Sequence, residues 1–393
     1  MDYMHIETGN TSSLTLHIRI TKKCNADCTY CSSYQLLADN RMSLDDLDKS
    51  LDFLSKLIVE KGIGGSREMI SVQYVGGEVS VLPLDYIEEY AKRVEQKLSP
   101  LFKYFQHGVQ SNLIASKDKI LRLVDIFGTN IGTSFDHFTD QRRVQGDSQK
   151  YRTIFLKNQT TLKKITGKKA SGVVVVDEKM EPFIFDEISI ANNNLTHITL
   201  RPVFQGGMPI EQMNVSNVIP IFERAYDEWV MNSHISIEPF TSLLNKRLIK
   251  YKKDFQQHNG FKEINAYSGC PFQHNCAKNS LNLEPNGDLY LCFEMADGER
   301  YSFGNAIQGV LNEDVYNLLL DRSNKLQSEC YSCDYFNECQ GGCMNEAIDH
   351  FGDVYAKTKN CSLWKAIFRK IDNSISIYGV ENIEKWLVSN KLN

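Results

Sequence analysis

The chain has 393 residues, 42% apolar and 24% charged, with 18 Tyr and 20 Phe; that supplies one large core or two unequal ones and excludes general disorder. A net charge of -5 gives no general electrostatic reason to bind nucleic acid, and the basic cluster Lys246–Lys253 reads as a solvated face. Met1–Ser13 has no basic region leading into an apolar run, and no apolar stretch reaches about 18 residues, so the expectation is a cytoplasmic chain with no membrane partner.

In chain order, β-rich runs alternate with amphipathic helical patterns. A strand at Leu14–Ile20 precedes a helix at Ser43–Lys61, and Met69–Tyr74 precedes Leu84–Leu98. Phe105–Gln110 leads to Lys117–Phe127, and Ile131–Phe135 leads to Lys150–Ile165. Gly172–Val176 is followed by Ile184–Asn192, and Ile198–Pro202 by Val218–Met231. Six strand–helix repeats predict an α/β fold, a partial (β/α)6 TIM-like barrel over 14–231 behind an N-terminal arm at 1–13. In such barrels the chemistry gathers at the C-terminal ends of the strands. Residues 232–268 are polar and rich in Lys, Gln and Asn, and read as a connecting segment. Residues 269–393 read as a second domain, with a β-hairpin of Leu281–Leu283 and Asp288–Leu291 around Pro285-Asn286-Gly287 and helices at Cys361–Ile371 and Ile383–Val388.

Eleven cysteines are distributed unevenly: three lie between positions 24 and 31, none between 32 and 269, and eight between 270 and 361. Without a secretion signal a disulfide framework is not expected, so two metal-binding regions are. Cys24, Cys28 and Cys31 follow the first strand with the spacing C-x3-C-x2-C. A four-iron cubane has four ligand positions, so three thiolates leave one iron open to an exogenous ligand. A zinc site is the alternative, but it needs a fourth ligand nearby and no His or Cys follows closely.

With Tyr30 before the last cysteine, this loop resembles that of the radical S-adenosylmethionine (SAM, AdoMet) superfamily. The resemblance implies that SAM chelates the open iron and is cleaved reductively to a 5'-deoxyadenosyl radical. Further segments are similar to the family's SAM-binding strand ends. Val75-Gly76-Gly77-Glu78 looks like its GGE segment, in which glycines admit close backbone approach and Glu78 accepts from the SAM ammonium. Gln110-Ser111-Asn112 and Ser134-Phe135-Asp136 resemble segments that contact the methionyl or ribose parts. By the same resemblance Arg143 pairs with the SAM carboxylate.

The remaining cysteines are Cys270, Cys276, Cys292, Cys330, Cys333, Cys339, Cys343 and Cys361. Gly287-x4-Cys292, then C-x2-C-x5-C-x3-C and a late cysteine, resembles the SPASM domain of radical SAM peptide-modifying enzymes; Cys330–Cys343 in isolation also suits a zinc ribbon. The resemblance implies two auxiliary clusters, one on Cys270, Cys276, Cys292 and Cys343, the other on Cys330, Cys333, Cys339 and Cys361. A cysteine at the end of a tight run crossing to the other cluster has a precedent in two-cluster ferredoxins. All eleven cysteines are then used by three 4Fe-4S clusters, one open and two closed.

Enzymes of this kind mature sulfatases or modify ribosomally made peptides (RiPP biosynthesis). Sulfatase maturases carry a basic Asp after the hairpin cysteine, whereas Phe293 and Glu294 follow Cys292 here; Glu294 becomes the candidate proton acceptor. The expected reaction is therefore hydrogen abstraction from a side-chain carbon of a precursor peptide, followed by an oxidative cross-link of the cyclophane or ether type. Formylglycine formation is the alternative within the enzyme class, and a non-catalytic iron–sulfur electron-transfer protein is the alternative outside it. Expected partners are the precursor peptide, an electron donor such as flavodoxin or ferredoxin, and a separate leader-recognition protein if the barrel and C-terminal region do not bind the leader.

Overall fold

The computed structural model describes residues 13–35, 41–203, 215–255 and 275–391. Its first part is a run of parallel strands with helical crossovers: β1 (Ser13–Thr21), α1 (Ser32–Gln35), α2 (Leu44–Lys61), β2 (Met69–Gly76), α3 (Leu84–Leu98), β3 (Tyr104–Gln110), α4 (Lys117–Phe127), β4 (Ile131–Ser134), α5 (Ser148–Thr166), β5 (Gly172–Val176), α6 (Ile184–Asn193), β6 (Ile198–Pro202) and α7 (Val215–Trp229). Boundaries are set by local chemistry. Ser43, Ser116 and Asp147 accept the first free amides of α2, α4 and α5, and Gly62 and Gly167 end α2 and α5 in the left-handed region.

Two further elements stand where the sequence suggests a polar connection. β7 (Ile237–Glu238) pairs in parallel with β6, and α8 (Phe240–Phe255) follows. The Lys-rich pattern there is a helix face, and it is not wholly solvated. Arg247 is buried, binding Asp372 at 2.7 Å and Glu338 at 2.9 Å, and Lys250 donates to the Asp334 carbonyl at 3.2 Å. A buried guanidinium between two carboxylates pins this helix to the C-terminal region.

The C-terminal part contains α9 (Cys276–Asn279), β8 (Ser280–Leu283), β9 (Asp288–Tyr290), α10 (Phe293–Asp297), β10 (Gly304–Asn305), β11 (Val310–Leu311), α11 (Glu313–Leu320), α12 (Ser328–Tyr331), α13 (Phe336–Cys339), α14 (Met344–Phe351), α15 (Cys361–Tyr378) and α16 (Val380–Lys391). The expected hairpin is present as β8 and β9, with Gly287 at φ +89° in its turn. It is not a separate sheet. β8 runs parallel to β1, Thr15 facing Ser280 and Ile18 facing Leu283, so one sheet has the order β11-β10-β9-β8-β1-β2-β3-β4-β5-β6-β7.

Alternation along β1 separates its faces. Leu14, Leu16, Ile18 and Ile20 are fully buried in the core, whereas Thr15, His17, Arg19 and Thr21 point the opposite way. Curvature follows from side-chain contacts. Arg201 of β6 pairs with Glu294 of α10, and the same short helix binds Arg19 of β1 through Asp297 at 2.5 Å. Flat strands would separate β1 from β6 by ~24 Å at ~4.8 Å per spacing, so the sheet curls into an open barrel. His17, Arg19, Gln73, Gln110, Ser134 and Arg201 make its inner face polar. Among the described residues no helix is long and apolar enough to cross a membrane.

Candidate active site

Three strand ends brace the first cysteine loop. The Gly77 amide donates to the Thr21 carbonyl at 2.9 Å and the Glu78 amide to the Lys23 carbonyl at 2.8 Å. The two glycines are required by this approach. A Cβ on Gly76 would lie 2.4 Å from the Thr21 oxygen, and one on Gly77 would lie 2.3 Å from the Lys23 oxygen. From the other side, Asp27 and Thr29 amides donate to the Arg143 and Gln141 carbonyls, both at 2.9 Å, and Asn25 donates to the Ile114 carbonyl at 2.6 Å. Burial pushes the Cys24 thiol up to about 12, with Glu78, Cys31 and Cys28 adding to the effect of burial and the Ala26 amide opposing it. Binding a metal there must therefore displace protons.

Glu78 is buried and occupied by the chain itself. Its Oε1 accepts from the Ser80 amide at 2.9 Å and the Ser111 hydroxyl at 2.8 Å, and its Oε2 from the Asn112 amide at 2.6 Å. A carboxylate offers about four acceptor positions, so roughly one remains for an outside donor; the dominant contacts tie β2 to β3. Asn112 extends the tie, donating to Asn25 at 2.8 Å and toward the Cys24 sulfur at 3.8 Å. Ser111 and Asn112 are thus brought to the cysteine loop. Ser134 accepts from Gln110 at 3.2 Å on the inner face. Asp136 caps its own turn, accepting from the Phe138 and Thr139 amides and the Thr139 hydroxyl, an Asx turn that by itself accounts for a buried Asp at the strand end and, as at Glu78, leaves about one acceptor position. Arg143 leaves its Nε buried without a hydrogen-bond partner, a donor available beside the loop.

Two buried cations near this loop carry no sequence motif. Arg142 donates to Tyr30 at 2.9 Å and Tyr151 at 2.7 Å, while interacting electrostatically with Cys28. Arg19 binds Asp297 and the Phe293 carbonyl, and Asp297 also accepts from Ser32 at 2.7 Å and Ser33 at 2.8 Å, immediately after Cys31. Asp297 thereby joins the first cysteine loop to the helix that follows Cys292. At the barrel mouth Glu294 is buried and paired with Arg201; burial raises its carboxyl, Arg201 opposes this, and Glu346 and Asp297 add to it. His17 sits below, edge-on to Phe293, pushed down to about 4 by burial and then by Arg201 and Arg19.

Cys270 lies outside the described residues. None of the other ten cysteines forms a disulfide. In the C-terminal region they fall into two neighbourhoods. Burial pushes Cys339 up to about 12, with added contributions from Cys361, Cys330 and Cys333. Cys292 is raised by burial, then by Glu294 and Cys343. Among the described residues no three His, Cys, Asp or Glu side chains are grouped to hold a metal ion. The chemistry between the two neighbourhoods suits an anionic group. Arg322 is buried, donates to the carbonyls of Val354, Ala356, Gly341 and Gly342, and has no carboxylate partner among the described residues. A buried guanidinium among neutral dipoles is unfavourable; thiolate-ligated clusters on these cysteines would supply the missing negative charge.

No family model matches the chain. A cysteine-type anaerobic sulfatase-maturating enzyme of Clostridium novyi (strain NT) is 20% identical over 382 residues, covering 91% of this chain and 95% of the relative. Native anSMEcpe with bound AdoMet superposes with a TM-score of 0.69 at 16% identity, covering 93% of this chain and 100% of that one. Streptococcus suis SuiB bound to S-adenosylmethionine gives 0.54 at 16% identity, with 89% and 77% covered. The chain resembles radical SAM enzymes with a SPASM domain. In this fold, Gly76, Gly77, Glu78, Ser111 and Asn112 converge on the Cys24–Cys31 loop, Ser134 faces the barrel interior, and Glu294 stands at the mouth. Asp136 is turned to its own loop. Arg142, Arg19, Asp297 and Arg322 escape sequence reasoning because an isolated Arg or Asp reads as surface until its buried partner is known.

Proposed function

We propose that this chain is a radical SAM peptide maturase with three 4Fe-4S clusters, one on Cys24, Cys28 and Cys31 and two on the C-terminal cysteines including Cys270. The observation that carries the reading is Asp297, which binds Arg19, Ser32 and Ser33 together and so holds the Cys292 helix against the Cys31 turn at one barrel mouth. SAM and the clusters, when bound, supply hydrogen abstraction from a side-chain carbon and an acceptor for the surplus electron. The residues of the chain do the rest. The Glu78–Ser111–Asn112 network fixes the strand ends around the first loop, Arg143 offers a donor for a carboxylate, and His17, Gln73 and Arg201 lie on the polar inner face of the sheet. Glu294 accepts the proton that the oxidised peptide must release. Burial raises this carboxyl, which strengthens it as a proton acceptor, and its Arg201 partner offsets part of that rise.

Within this class we infer a cross-link, of the cyclophane or ether type, in a ribosomally made precursor peptide, because Phe293 and Glu294 occupy the positions after Cys292. SuiB, of the same fold, has also been crystallised bound to precursor peptide SuiA. A flavodoxin- or ferredoxin-type donor supplies electrons, with leader recognition by the barrel, the C-terminal region or a separate protein. Formylglycine formation is the second reading, favoured by end-to-end similarity to a sulfatase-maturating enzyme and by the placement of Glu294. Incubation with SAM, a strong reductant and either the peptide encoded beside the gene or a Cys-containing sulfatase peptide separates them by mass. Loss of two hydrogens with a new inter-residue bond supports the cross-link; an aldehyde on the sulfatase peptide overturns it. Absence of 5'-deoxyadenosine in every reaction would favour the non-catalytic iron–sulfur protein.

A further inference from the structure

Arg322 has a position that the radical chemistry leaves unexplained. It lies in a short 3-10 helix, Asp321–Asn324, and is buried. One arm of its guanidinium donates to Val354 and to Ala356 at 2.8 Å, in the segment leading to Cys361; the other donates to Gly341 at 3.2 Å and Gly342 at 3.5 Å. Those glycines lie between Cys339 and Cys343, the point at which the tight cysteine run passes from one ligand set to the other. The crossing has a distinct backbone. Gln340, Gly341 and Gly342 are successively left-handed at φ +52°, +79° and +71°, a conformation that glycine alone adopts without strain. A side chain at Gly342 would put its Cβ 2.2 Å from Thr358 Cγ2, and one at Gly341 would lie 2.7 Å from Leu326 Cδ2. The run thus presents carbonyls to one cation at its centre.

The same helix reaches the remaining ligand turn. Asn275, beside Cys276, donates to the Leu320 carbonyl at 2.6 Å and to the Ser323 hydroxyl at 3.2 Å, flanking Arg322. Burial pushes the guanidinium down from its ordinary range, and Cys276, Cys343, Cys330 and Cys339 act in the opposite direction, two from each set. Carbonyl dipoles orient the guanidinium but do not neutralise it.

We propose that Arg322 is a shared counter-ion of the two auxiliary clusters, a positioning residue whose charge raises the reduction potential of both. The inference rests on the three-cluster reading. Reduction adds negative charge to a cluster, and a cation in a low-dielectric surrounding stabilises the reduced state more than the oxidised one. Arginine suits the place because its planar fork can satisfy several carbonyls while remaining charged.

The test uses the full chain with Cys24, Cys28 and Cys31 replaced by Ala, so that only auxiliary signals remain. Iron content and an EPR-monitored redox titration are measured for this parent, for Arg322→Gln and for Arg322→Lys. The parent is expected to hold about eight irons, two four-iron clusters; a parent without them would overturn the cluster reading, and the inference with it, before Arg322 is altered. Arg322→Gln is expected to shift both signals to more negative potential, or to lose iron, while Arg322→Lys retains iron and stays near the parent. Unmoved potentials with full iron in Arg322→Gln would overturn the proposal, as would equal loss in both variants or a shift of one signal alone.

Discussion

Replacement of Gly77 by Ala tests whether the close backbone approach, and not the chemistry of the neighbouring Glu78, holds the first cysteine loop. The new Cβ would stand 2.3 Å from the Lys23 oxygen and 2.5 Å from the Lys22 oxygen. Both obstacles are backbone, so no rotamer change relieves them and the loop must retreat by roughly 1 Å, given ordinary carbon contacts of about 3.5 Å. That movement stretches the 2.9 Å bond from Gly77 to Thr21 and the 2.8 Å bond from Glu78 to Lys23. Two lost backbone bonds at ~1 kcal/mol each, plus ~1–3 kcal/mol for overpacking, give a local penalty of roughly 3–5 kcal/mol. The consequence is regional. Iron analysis of the reconstituted variant should fall from about twelve to about eight per chain, with 5'-deoxyadenosine release lost and the C-terminal clusters retained. Full iron with unchanged SAM cleavage would refute the argument that these glycines are there for the loop.

Glu78→Gln should lower 5'-deoxyadenosine release at least ~10-fold while iron content stays near the parent, because one amide then faces the Asn112 or Ser80 amide and leaves a buried donor unsatisfied at ~1–3 kcal/mol; an unchanged rate would remove Glu78 from the strand-end network. Arg247→Ala strands Glu338 and Asp372 beside a helix that they anchor, and should cost ~3–5 kcal/mol by chemical denaturation; a loss under ~1 kcal/mol would return this cluster to the solvated face suggested by its composition. His17 is held near 4 in the fold against an ordinary 6.5. The unfolded chain therefore binds a proton that the folded one refuses, so this contribution is fully present above pH 6.5 and is lost as pH falls from about 6.5 to about 4, by up to ~3 kcal/mol. Urea midpoints at pH 7 and 4.5 should converge in His17→Gln relative to the parent; equal pH sensitivity of the two proteins would contradict it.

The barrel strands and helices are legible because the local signals agree: β5 and β6 have the expected bounds, and Ser43, Ser116 and Asp147 announce their helices. The cysteine spacings were likewise visible in the sequence. Long-range consequences were not. The pairing of β8 with β1 depends on two segments more than 260 positions apart, Thr15 and Ser280 among them, and nothing local announces it. α8 is obscured because its lysines look like a polar connection, while one arginine among them turns inward to carboxylates supplied from 338 and 372. Asp136 resembles a strand-end contact by residue type, and the Asx turn it makes with Phe138 and Thr139 is a second reason for a buried Asp there that residue type alone does not announce. Asp297 carries the connection between the two cysteine regions, and its partners come from positions 19, 32 and 33.

The central claim is that Cys24, Cys28 and Cys31 form the site at which SAM is cleaved, separately from the C-terminal cysteines. The direct measurement is 5'-deoxyadenosine release and iron content of the reconstituted full chain beside its Cys24→Ala, Cys28→Ala, Cys31→Ala variant, both given SAM and a strong reductant. The parent should release 5'-deoxyadenosine and the variant none, with about eight irons remaining in the variant. Undiminished release from the variant, or loss of all its iron, would contradict the account.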